Sequence, residues 1–85
     1  MKEYDVPAEV KELFLQAYVA QVMVKGCVDA LQYEKAEKYA QESVMLEQTA
    51  WKTAQKQLGL SYSENVYSYN KATDKITEFK KKGED

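Results

Sequence analysis

Apolar residues recur along the first part of the chain at Val10, Phe14, Ala17, Val24, Val28 and Leu31, with Gln21 the polar exception. Steps of three and four residues are the helix period. Pro7 suits the first helical position, Asp5 is placed to cap it, and Glu9 and Glu12 complement the helix dipole. A second stripe runs through Ala36, Ala40, Val44, Glu47, Trp51, Ala54 and Leu58. Glu34–Lys38 and Lys38–Glu42 lie on its solvated face as i,i+4 pairs, and Gly59 stands where helices end. One unbroken helix from 7 to 58 would exceed ordinary globular lengths. A break is therefore expected between Asp29 and Glu34, where Gly26 lowers helix propensity just upstream and Asp29 is a candidate local cap. The pattern predicts an antiparallel hairpin of two helices, about 7–30 and 33–58.

The character changes after Gly59. Ser61 to Asn65 read as a loop. Val66-Tyr67-Ser68-Tyr69 and Ile76-Thr77-Glu78-Phe79 then combine β-branched and aromatic residues, as strands do. Between them, Asn70 can hold a turn through its side chain, and Asp74 tolerates the left-handed conformation that closes one. In this turn chemistry, Tyr69 to Thr77 resembles the second hairpin of the immunoglobulin-binding domain of streptococcal protein G. Over those nine residues the resemblance implies a β-hairpin, about 65–80, and nothing about antibodies. The alternative is a third helix carrying Tyr62, Val66, Tyr69, Thr73 and Ile76, which would make an all-α three-helix bundle. Gln32 to Ala36 resembles the start of the second helix of a tetratricopeptide repeat, but only one unit exists and the preceding signature is missing. The reading is a small, mainly helical α+β domain spanning 1–85. A lead-in occupies 1–6 and a charged tail 80–85.

Composition removes whole classes of chemistry. There is no His, so imidazole bases and His-ligated metals are excluded. The single Cys27 allows neither an internal disulfide nor a CxxC pair. All twelve basic residues are Lys, leaving no guanidinium clamp for phosphate or base edges. The carboxylate pairs Glu9/Glu12 and Glu34/Glu37 lie among lysines on solvated faces. Ser61, Ser63, Ser68 and Thr73 have no base to activate them. An enzyme is not expected, and neither is a cofactor. A net charge of −2 argues against nucleic acid. The longest uncharged stretch in the apolar region, Leu13 to Val24, is twelve residues, short of the ~18 that span a bilayer. With one unpaired Cys and no signal peptide pattern, a cytoplasmic location is expected.

That uncharged stretch carries the functional expectation. One side of its helix serves the internal core, which leaves Leu15, Val19, Val22 and Met23 on other sides. A helix apolar nearly all round needs cover from more than one direction. Trp51, beside the alanine stripe, is either a core plug or a binding anchor, and is grouped with these four as a candidate interface residue. The expected function is a non-catalytic protein–protein interaction module, self-associating as a dimer or higher homo-oligomer, with an unidentified protein partner. A small chain of this kind would suit a phage or mobile-element accessory protein that binds a host factor. The alternative is an oligomeric small-ligand binder whose pocket forms between subunits, with Tyr18 and Lys25, one heptad apart, as candidate ligand contacts.

Overall fold

A computed structural model describes residues 2–81. Its elements in chain order are β1 (Lys2–Asp5), α1 (Ala8–Asp29), α2 (Tyr33–Leu58), β2 (Asn65–Asn70) and β3 (Lys75–Lys80). The helices form an antiparallel hairpin, and β2 and β3 form the C-terminal β-hairpin, so the three-helix alternative is overturned. The lead-in is a strand rather than a loose end: β1 pairs antiparallel with β3, giving the sheet order β1-β3-β2. Lys80 closes β3, and residues 82–85 of the expected tail lie outside the described residues.

Small side chains set the helix pairing. Ala17, Ala20 and Cys27 of α1 and Ala36, Ser43, Ala50 and Ala54 of α2 are buried between the helices or beneath them. The Ser43 hydroxyl donates to the backbone carbonyl of Ala17 at 3.0 Å. A side chain that short reaches the opposing backbone only where the helix axes lie close.

Neither expected cap forms. Asp5 sits in β1 opposite Lys75 and pairs with its ammonium, because the strand, not the helix start, claims it. Asp29 belongs to the last turn of α1, and Gln32, the residue before α2, makes no side-chain cap. The turn is built from backbone instead. The Leu31 N–H donates to Val28 (3.0 Å) and the Gln32 N–H to Cys27 (2.7 Å), the two bonds of a Schellman motif. That motif puts Leu31 at φ 60°, a left-handed conformation without the usual glycine, while its side chain is 72% exposed. Leu31→Gly is therefore expected to raise stability by about 0.5–1 kcal/mol. It removes a left-handed penalty of ~1–2 kcal/mol and adds ~0.5–1 kcal/mol of unfolded-chain freedom. Urea denaturation checks this, and a lower midpoint would contradict it. Gly59 and Asp74 also take positive φ, ending α2 and closing the β2–β3 turn as expected. Asn70 holds that turn by accepting the Ala72 N–H at 2.9 Å.

The strands cross the helix pair near its open end. On the helix-facing side are Tyr4, Tyr67, Tyr69, Ile76 and Glu78, in register across the three strands. Val10, Phe14, Ala50, Ala54, Leu60 and Ile76 form the core beneath them. Phe14 ties the layers together, stacking on Tyr69 (ring centroids 4.2 Å apart, planes 7° apart) and meeting Trp51 edge-on at 5.1 Å.

Successive strands contact α1 progressively higher. Asp74, just before β3, meets Lys11; Tyr69 of β2 meets Phe14; Lys71, just past β2, sits on Tyr18. Above that level the helices continue without a sheet. Val28, Leu31 and Val44, expected in the two core stripes, are consequently exposed, because the three strands end before reaching them.

Candidate interaction site

The far side of α1 carries an uncovered apolar stripe. Leu15, Val19, Val22 and Met23 are each between 42% and 53% exposed. At 100° per residue these positions fall opposite Phe14, Ala17 and Ala20, the buried side of the same helix. The four aliphatic interface candidates therefore share one face. A groove of about 310 Å³ runs beside it, between Leu15, Val19 and Met23 of α1 and Tyr39 and Glu42 of α2. Trp51 is not on this face. It lies half-buried on the sheet side, where the Tyr62 hydroxyl donates to its backbone carbonyl. Of the two ligand candidates, Tyr18 carries an ammonium on its ring, but from Lys71 in the β-turn, 3.3 Å from the centroid. Lys25 is exposed further along α1.

A second feature was not anticipated from the residues. Where the helices pass β2 there is an open cleft of about 400 Å³. Phe14, Tyr18 and Gln21 of α1, Glu47 and Trp51 of α2, and Tyr67 to Tyr69 of β2 line it, together with Lys71. Gln21 and Glu47 are the polar members of the two helical stripes. Both fall here, at the level where the core stops, and that coincidence was the available signal. A polar residue within an apolar stripe marks where solvent reaches the helix.

The ionisable groups on the helix-facing side of the sheet work as struts. Glu78 accepts hydrogen bonds from the hydroxyls of Tyr4 and Tyr67, both 2.9 Å. Tyr67 and then Tyr4 thereby hold the Glu78 carboxyl below its ordinary range. Asp74 is lowered likewise, first by Lys11 at 3.0 Å and then by the Tyr69 hydroxyl. Burial pushes the Tyr4, Tyr62 and Tyr69 hydroxyls up. A carboxyl whose folded pKa is depressed stabilises the fold above its unfolded pKa, and that contribution is lost as pH falls through the folded value. Stability is thus expected to hold from neutrality down to about pH 4, the unfolded carboxylate range, and to decline below it. In Glu78→Gln the decline is shallower. Urea midpoints across the acid range measure this, and an unchanged slope in the variant would remove Glu78 from the account.

Cys27 is buried between the helices. Among the described residues, no cluster of Cys, Asp and Glu is placed to hold a metal ion. No helix of the described residues is long and apolar enough to cross a membrane. Comparison with protein-family models, with curated proteins and with solved structures returned no match.

Proposed function

We propose that the protein is a non-catalytic interaction module that self-associates through the outward face of α1. One observation carries the reading: four large apolar side chains, Leu15, Val19, Val22 and Met23, each about half exposed, form a single stripe with no charged residue among them. Monomeric soluble proteins rarely expose a contiguous apolar patch above a few hundred Å².

The stripe suits a second copy of itself. A twofold contact must be self-complementary, each residue meeting the same surface of its mate. With α1 antiparallel to its mate and the axis between the levels of Tyr18 and Val19, Leu15 lies level with Val22 of the second copy. Burying the exposed half of Leu15 and Val22 contributes roughly 0.8–1.5 kcal/mol each, and twofold symmetry counts each twice.

Light scattering over a range of concentrations tests the reading. The expected result is a mass of twice 9.8 kDa or more at high concentration, with a melting temperature that rises as the protein is concentrated. A monomer at every concentration, melting at one temperature, would sink it.

A further inference from the structure

The sheet ends too soon for the helices that cover it. α1 runs on for eleven residues from Tyr18 to Asp29, about 16 Å at 1.5 Å per residue. A further strand needs only ~4.8 Å of that. On the sheet side of this overhang Val28 and Val44 stand exposed, each one or more heptads from a residue that the sheet does cover: Val28 from Phe14, Val44 from Trp51. The three described strands do not cover these helix faces, which stay about half exposed.

The two sheet edges differ in kind. β1 carries charge at three of its four positions, Lys2, Glu3 and Asp5, the usual device against unwanted pairing. β2 is six residues long, Asn-Val-Tyr-Ser-Tyr-Asn, with no charge, no Pro and regular register against β3 throughout. Long, uncharged edges with free backbone groups are templates for another strand. Beside this edge, under the overhang, lies the cleft lined by Phe14, Trp51, Tyr67 and Tyr69.

We propose that β2 accepts an extended peptide segment of another protein as a fourth strand, with its alternate apolar side chains turned into the aromatic cleft. Backbone hydrogen bonds to β2 supply the pairing, and the cleft reads every second residue, since side chains along a strand alternate between faces. Trp51 and Tyr69, packed on the buried Phe14 and themselves only partly buried, offer ring surface to the inward side chains. Gln21 and Glu47, at the roof, satisfy the polar groups that a strand brings with it. A second copy of this chain is the less favoured occupant, because its own overhanging helix pair would arrive in the same space. This inference does not depend on Leu15, Val19, Val22 and Met23: none of the four lines the cleft.

The test begins with decapeptides selected from a random display library on the immobilised protein. Selected peptides should show apolar residues at alternate positions, bind saturably in solution by calorimetry, and shift the emission of Trp51, the only Trp in the chain. Backbone amide exchange from Val66 to Tyr69 should slow on binding. Gln21→Phe, which fills the cleft from an exposed helix position, should weaken binding at least tenfold. Ser68→Lys, which places a charge on the edge strand but outside the core, should also weaken it. Met23→Glu, at a position lining only the groove on the far side of α1, should leave it unchanged. Failure to select any saturable binder overturns the proposal, as does binding indifferent to both cleft and edge variants. Protection of Val66 to Tyr69 that grows with protein concentration in the absence of peptide would assign the edge to a second copy, and would overturn it too.

Discussion

Phe14→Ala is expected to lower stability by about 3–5 kcal/mol, the usual cost of deleting a buried aromatic side chain. The effect belongs at the top of that range because Phe14 is the hinge pin between layers. Its ring stacks on Tyr69 of the sheet and meets Trp51 of α2, so its loss loosens both layers at once. A domain of 85 residues has a total stability of roughly 4–13 kcal/mol. The variant should therefore stand close to unfolding at room temperature. Leu15→Ala, one residue along and half exposed, should cost less than about 1 kcal/mol in the monomer, since little burial is lost. Urea denaturation of the pair measures the contrast, and equal losses would mean that the faces of α1 are wrongly assigned.

Ile76→Ala is the second large effect, at about 2–5 kcal/mol. Ile76 is fully buried on the central strand, flanked in register by Tyr4 of β1 and Tyr69 of β2. Truncation leaves a cavity that the two tyrosines cannot fill, because their hydroxyls are bound to Glu78 and Asp74. Val66→Ala, on the outer face of the sheet and half exposed, should change stability by less than ~0.5 kcal/mol beyond its strand preference. A small loss at Ile76 would show that the sheet contributes little to the fold and that the helical hairpin stands alone.

The residues announced these elements unevenly, for physical reasons. The helical hairpin was legible because steps of three and four repeat over more than twenty residues in each helix. The β-turn was legible because Asn70 and Asp74 have conformational preferences that act locally. β1 was not, since Lys2-Glu3-Tyr4-Asp5 is short and charged, and it is a strand because β3 has a free edge beside it. Tyr4 and Val6 are two residues apart, and such a pair is too brief to register as a period. Asp5 shows the same limit: its carboxylate suits a helix cap, but a lysine 70 residues away claims it.

The candidate site divides in the same way. Leu15, Val19, Val22 and Met23 could be placed on one helix face from spacing alone, because rotation per residue is a local property. Trp51 could not be assigned, since whether it meets solvent or Phe14 depends on where the sheet lands. The width of the sheet is likewise not written in either helix. The stripes through Val28, Leu31 and Val44 say that these faces want cover, and only the position of β2 shows that the described chain leaves them bare.

The most direct test of the self-association claim compares the wild type with Leu15→Glu by light scattering and thermal melting over the same concentrations. The account predicts an associating wild type with a concentration-dependent melting temperature. It predicts a monomeric Leu15→Glu with the same helical signal and a melting temperature that does not move with concentration, because the new carboxylate faces water in the monomer and apolar surface only in the pair. A Leu15→Glu variant that associates as the wild type does, or a wild type that stays monomeric throughout, would contradict it.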